Sequence, residues 1–336
     1  MNKYILMAEK TLDDFFKLYS GNEALNFVIN TVRRDYLPIF AELQMIKREV
    51  FSGLEKADLI NGNEPKTIKI SLPGYDVYLE KLIYSNTPIS NAAKIRVNDR
   101  KSLDEFRKTI AQVNENIFKS LSDFGKIPTN LYFGVLRKAE KVWDKNAINA
   151  IRELQGKGII QIEIWENIDT RNLDIDMLVK DAVKRNKIVQ ETIDLYIGER
   201  YALGYISGLL KSYIRLKEQL NEKKKEIFSV LREFNLIDPD KSIRVTTNYG
   251  TIYIGAYENI RYKKINEEEI KDTLLRYGFR EEEFTTIDLT KIMRSEKYAL
   301  LRKRLEEEKY ISPIPEERVY IRNVTRDVFK ETKRKG

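Results

Sequence analysis

Between Ile206 and Phe234 the apolar residues recur at alternating steps of three and four. They are Ile206, Leu209, Tyr213, Leu216, Leu220, Ile227, Val230 and Phe234, with Lys223 where an apolar residue is due. This is a heptad a/d seam, the mark of a long helix that lays one stripe against another helix. Two further stretches, about 25–57 and 103–124, repeat the pattern. A chain built mainly from such seams makes an extended helical frame more readily than a pocket around a reaction. The expected fold class is mainly α with α+β parts: long coiled-coil-like helices forming a helical hairpin, plus a small C-terminal α+β module with a β-hairpin.

Along the chain, Asn22 is placed to cap a helix from about Glu23 to Asp58, carrying Leu25, Ile29, Val32, Tyr36, Ile39, Leu43, Ile46 and Val50. Pro38 inside it predicts a kink or break near Leu37. After the turn Asn61–Pro65, the segments 67–72 and 75–79 read as a hairpin around Pro73-Gly74. Ser102 and Glu105 have capping-box spacing, opening a helix that Gly125 ends. Residues 129–154 read as one helix anchored by Trp143, Ile148 and Ile151, and 159–165 as a strand. From Ile175 to Ile237 there is hardly a stop, so one bent helix or two antiparallel ones are expected until Asp238-Pro239-Asp240. A hairpin (243–247 and 251–256), a third strand at 260–262, a short helix at 267–277, a helical stretch at 288–309 and a final strand at 318–322 follow. The implied regions are 1–100, 101–170, 171–237, 238–329 and a basic tail 330–336.

Histidine and cysteine are both absent. That removes disulfides, thiolate and imidazole metal sites, and every nucleophile system that needs a histidine base. Zero cysteine fits a reducing cytoplasm, and abundant Lys and Glu without Cys is the bias of heat-adapted proteins. No apolar run is long enough to span a membrane, and the start of the chain has too short an apolar core for a secretory signal. The formal charge of +8 favours polyanionic partners, nucleic acid first. A charge of this size also fits a plain soluble surface.

The charged groups leave alternatives open. Asp169, Asp174 and Asp176 form the best Mg²⁺ candidate, and the competing reading makes Asp174 and Asp176 helix caps. The Glu runs at 267–269, 281–283 and 306–308 read as solvated faces. Lys223-Lys224-Lys225 lies on the seam helix. There Lys223 sets register, snorkels at a helix end, or marks a place where a phosphate backbone approaches. Arg261, Lys263 and Lys264 follow the hairpin with Tyr257 and Tyr262 interleaved, a pattern that stacks and clamps nucleic acid or packs across strands. Arg302-Lys303-Arg304 and Lys333-Arg334-Lys335 add candidate phosphate contacts.

The order of elements in the last third is distinctive. A long charged helix precedes a hairpin whose second strand is Gly250-Thr251-Ile252-Tyr253-Ile254. A short helix ending in Gly278-Phe279, the phrase from Thr286 to Ile292, and a strand at Val319-Tyr320-Ile321 follow. Over about 210–325 this layout resembles phage host-nuclease inhibitors of the Gam type. The resemblance implies a dimer that binds the ends of double-stranded DNA and shields them from exonucleases.

The expected function is therefore a non-enzymatic, largely sequence-independent DNA-binding protein of a virus, plasmid or host. It would work in the cytoplasm without a cofactor and be homo-oligomeric through its heptad helices. Its binding would weaken steeply with salt. A structural or assembly protein is the alternative, and a Mg²⁺-dependent carboxylate nuclease the third.

Overall fold

A computed structural model describes residues 21–60, 66–84, 100–185, 202–239, 241–262, 266–311 and 316–326. Across them the chain is a mixed α+β protein, mostly helical with small antiparallel sheets. Helix α1 runs over 21–56, already turning at residue 21, so Asn22 lies within it rather than capping it. A π-helical turn, Val32–Tyr36, interrupts it, closed by Leu37 N–H donating to the Val32 carbonyl. The cause sits two residues on. Pro38 has no N–H to give and its ring crowds the carbonyl four residues back, and the wider turn makes room for both. One extra residue in that turn also rotates the buried face. Ala24, Val28 and Val32 are buried before it, not Leu25 and Ile29.

Helix α1 packs along the long helix Ala202–Glu233 in antiparallel fashion. Gly53 lies against Ile206, and Asp35 against Lys223 at the other end. A Cβ at Gly53 would stand 3.2 Å from Ile206 Cγ1, so glycine is what lets the helices close up there. The buried stripe of the long helix is Ile206, Leu210, Tyr213, Ile214, Leu216, Ile227, Phe228 and Leu231. It is wider than an a/d seam, because the helix also covers sheet residues Val245, Ile252 and Ile254 in the same core. The coiled-coil expectation gives way to a globular helix face, and the pair is not a sequential hairpin. Among the described residues this stripe is buried within one chain, against α1 and the sheet.

Strands β1 (Lys66–Leu72) and β2 (Tyr75–Tyr84) form the expected hairpin, with Gly74 at φ +79° in the turn. Helix α2, Arg100–Ser120, starts two residues before Ser102, so the capping-box reading fails; Gly125 does leave the following turn at φ +70°. Its stripe divides between two cores. Leu103, Phe106 and Ile110 join one with helices α3 (Gly134–Lys141) and α4 (Lys145–Gly156). Ile117 and Leu121 join another around Ile292, Leu301 and Leu305. The single helix expected over 129–154 is instead strand β3 (Thr129–Leu131) and two helices, because the chain reverses at Trp143.

Strand β4 runs from Ile160 to Leu173, twice the predicted length, and helix α5 (Ile175–Arg185) follows it; Ala202–Glu233 is α6. Strands β5 (Ser242–Thr247) and β6 (Gly250–Tyr262) come next, so residues 260–262 continue β6 rather than form a third strand. Helix α7 (Glu267–Arg276) ends at Gly278, φ +84°. The short elements Glu281–Phe284 (α8), Thr285–Ile287 (β7), Leu289–Arg294 (α9) and Ala299–Glu307 (α10) lead to β8, Glu316–Arg326.

Among the described residues, the strands after 238 pair with one another only as β5–β6. Strand β6 runs antiparallel along β4, β7 pairs with β3, and β8 pairs with β2. The sheets are thus β1-β2-β8, β3-β7 and β4-β6-β5. Asn114, fully buried, ties the same halves by donating to the carbonyls of Glu282 and Thr285. Arg294 reaches back to buried Glu80 at 3.0 Å. The expected C-terminal module is therefore laced strand by strand into the first 175 residues. A fragment spanning 238–336 is expected to show no cooperative thermal transition by circular dichroism. A sharp melt from that fragment would overturn this account of the topology.

Candidate nucleic-acid interface

Strand β4 alternates with period two: Ile160, Ile162, Ile164 and Ile168 fall on one face, and Gln161, Glu163, Trp165, Asn167 and Asp169 on the other. Its pairing with β6 brings Trp165 opposite Tyr257, Asn167 opposite Gly255 and Asp169 opposite Tyr253; β5 adds Arg244 beside Tyr253 and Ser242 beside Gly255. On the Ile-bearing face Ile168, with Ile252, Ile254 and Val245, covers the main core, Ile160 and Ile162 join the second core, and Ile164 is exposed. Among the described residues the opposite face is left open.

That open face is rich in aromatic and hydrogen-bonding side chains. Trp165 is 46% exposed and Tyr257 42% exposed, their ring centroids 6.2 Å apart and tilted by 59°. The Trp165 indole N–H donates to Glu163 at 3.1 Å, and Glu163 also accepts from Arg261 at 3.2 Å. Those two bonds hold the Glu163 carboxyl below its usual value, the indole being the larger cause. Arg171 clasps Asp169 through Nε and Nη2, which depresses that carboxyl too. Arg244 is exposed and has no ion pair among the described residues. Between the tyrosines the strand carries only Gly255, beside Ser242 and Asn167, leaving a shallow depression of about 700 Å³. At a rise of about 3.3 Å per residue, Tyr253 and Tyr257 stand roughly 13 Å apart along the strand. That span holds a few stacked rings.

The other candidates are placed differently. Lys223 bridges the helix pair, 2.8 Å from Glu226 and 3.3 Å from Asp35, and both bonds raise its pKa. It acts as a polar link between α1 and α6 and is not offered to a phosphate. Lys224 Nζ sits 5.9 Å from the Phe228 ring centre, and Lys225 is exposed. Arg302 donates to the carbonyls of Ile292, Met293 and Ser295, capping the end of α9. Lys303 pairs with Glu307 and Arg304 with Glu308 along α10 and its C-terminal end. Only Arg261, on the open face, stands where the aromatic–basic pattern calls for it. Lys263, Lys264, Lys333, Arg334 and Lys335 lie outside the described residues.

The carboxylates weighed for Mg²⁺ are all engaged. Asp169 is held by Arg171, Asp174 caps α5 through Met177 N–H at 2.9 Å, and Asp176 pairs with Arg48. Among the described residues no three acidic side chains converge.

Sequence reasoning missed Trp165, Tyr253, Arg171, Arg244 and Asn167 as partners. The period-two alternation of 160–169 was a readable signal for a two-faced strand. Its pairing with a segment some ninety residues later was not. Compared with known proteins, the chain matches no family model, and no curated protein or solved structure is significantly similar to it.

The Glu163 link gives a pH signature. A carboxylate held below its ordinary value keeps its bonds fully above that value and loses them as pH falls through the lowered one. In Trp143→Gly protein, where Trp165 is the sole indole, its emission should titrate with a midpoint below the ordinary glutamate value of 4.5. A midpoint at or above 4.5 would mean that Glu163 does not hold the ring.

Proposed function

We propose that this is a non-enzymatic nucleic-acid-binding protein whose contact surface is the open face of the β4-β6-β5 sheet. The observation that carries the reading is the exposed Trp165–Tyr257 pair, with Tyr253 beyond Gly255 and Arg171, Arg244 and Arg261 around it. A tilted aromatic pair left in water contributes little to the fold, and on an open sheet it offers π-faces to bases. The arginines supply phosphate contacts, and Asn167, Asn259 and Gln161 supply amides at the height of base edges.

This chemistry favours unpaired bases over a duplex, whose base faces are already stacked. The strand bound is read as DNA, held with little regard to sequence and hidden sterically from other enzymes; the resemblance implies double-stranded ends, and the open aromatic face moves this reading to single strands. In this reading the protein works in the cytoplasm, in company with the nucleic acid of a mobile element or its host. The scaffold alternative is weaker, since the apolar helix stripes that would join subunits are covered within the chain.

With Arg171 and Arg261 engaged by Asp169 and Glu163, and Arg244 without an ion pair among the described residues, the salt response should correspond to about one phosphate, a log–log slope near −0.7 for single strands. That is shallower than the steep loss expected from net charge alone. A fluorescent single-stranded oligonucleotide should bind more tightly than its blunt duplex. Trp165→Ala with Tyr257→Ala should weaken it by roughly tenfold or more, since each stacked base is worth about 1–3 kcal/mol. Undiminished binding by the double variant would remove the sheet face as the interface. Absence of binding at low salt would end the reading.

A further inference from the structure

A second, separate place on the molecule carries an aromatic side chain that folding does not explain. Helix α3 closes with Trp143 N–H donating to the Glu140 carbonyl and Asp144 N–H to the Ala139 carbonyl, a Schellman arrangement. The residue at its turning point needs a positive φ, and glycine fills it at low cost. Here it is Trp143, at φ +58° and 81% exposed. The turn is firmly fixed. Asp144 caps α4 through Asn146 and Ala147 N–H, and receives Arg107 at 2.9 Å. The indole thus occupies a strained backbone position and covers no core.

Trp143 stands at the edge of a groove of about 720 Å³ between α3, α4, the inner face of the β4–β6 ribbon at Ile162 and Glu258, and Pro239. Ile148, Arg152 and Gln155 follow the i, i+4, i+7 spacing of one helix face along it. Arg137 within the groove is committed to Glu140 and to both the side chain and carbonyl of Glu258. Lys141 and Arg152 are exposed and have no hydrogen bond or ion pair among the described residues. An aromatic plane, an apolar floor, an amide and two unpaired cations converge there.

The geometry points to this groove as a nucleotide site. The base would lie on the Trp143 ring above Ile148, the Gln155 amide would meet its edge, and Lys141 and Arg152 would hold the phosphate. Arginine and lysine beside an indole suit an anionic aromatic ligand; a neutral apolar one would leave both cations unanswered. The nucleotide is either free or one unit of a strand. The site lies on the opposite side of the ribbon from the open sheet face, so it stands whether or not that face binds.

The test uses the full chain carrying Trp165→Phe, which leaves Trp143 as the only indole of the two in the sequence. Its emission is titrated with a mononucleotide, a single-stranded oligonucleotide and inorganic phosphate. Quenching by the mononucleotide supports a free-nucleotide site. Quenching by the oligonucleotide alone supports a unit within a strand. Quenching by neither, or equally by phosphate, overturns the proposal. Trp143→Gly, assayed separately with the ligand that quenches, should raise Tm by relieving the strained turn, yet weaken binding about fivefold or more. A lower Tm with unchanged affinity would make Trp143 a packing residue and overturn it as well. Lys141→Gln with Arg152→Gln should fold normally and flatten the salt response.

Discussion

The long antiparallel ladder between residues 160–173 and 250–262 is the constraint on which the rest of the structure depends. It runs from one core to another: Ile160 belongs with α2, α3 and α4, while Ile168, Leu173, Ile252 and Ile254 belong with the α1–α6 pair. Its end is pinned by close backbone approach. A Cβ at Gly250 would fall 2.2 Å from the Asn172 carbonyl, at a φ of +124°, so a side chain there would push the strands apart. Because the period along a strand is two, a one-residue slip would exchange the Ile face for the Trp and Tyr face. Core packing on one side therefore fixes which residues are offered on the other.

The helix pair shows a second compromise between packing and chain chemistry. Pro38 would break an α-helix, and a π turn lets α1 continue past it at the cost of rotating its buried face. Opposite that turn the partner helix carries Lys223, whose ammonium meets Asp35 and Glu226 in the gap of the buried stripe between Leu216 and Ile227. The link is partly exposed, so it adds little stability. Its effect is to match one axial alignment of the two helices, the register role that a lone lysine at a core position serves best.

Much of this was legible locally and little of it globally. The first hairpin, the strand at 159–165, the β5–β6 hairpin and the helix ending at Gly278 all follow from turn chemistry within a few residues, whereas the long helix stops at Glu233, with Asn235 at φ +51°, before the expected stop at Asp238-Pro239-Asp240. The errors came where tertiary packing overrides local pattern. An a/d seam reads the same as a wider stripe when only alternate steps are counted, so Leu210, Ile214 and Leu231 were passed over. Trp143 was read as an anchor because large apolar residues are usually buried; nothing local announces a tryptophan where glycine is expected. The pairings β2–β8, β3–β7 and β4–β6 join segments far apart in the chain, and no spacing rule reaches that distance. The site was half visible for the same reason. Tyr257 and Arg261 were picked out together, but Trp165 entered only through the ladder.

Both tryptophans of the chain stand in water while its leucines and isoleucines fill the cores. Burying an indole is among the largest single gains a core can make, so leaving both outside forgoes that stability. The Trp165 ring and the Trp143 backbone are each fixed by named bonds. Trp165 is oriented by Glu163, itself steadied by Arg261, and the Trp143 backbone is locked between a Schellman turn and a capped helix. Restricting a ring before a ligand arrives lowers the ordering entropy that binding must overcome. An exposed aromatic that is both uncompensated by burial and fixed in direction is poorly explained by folding and well explained by contact with another flat ring. The same argument does not extend to Leu300 or Met177, which are exposed singly on helices and have no such fixing partners.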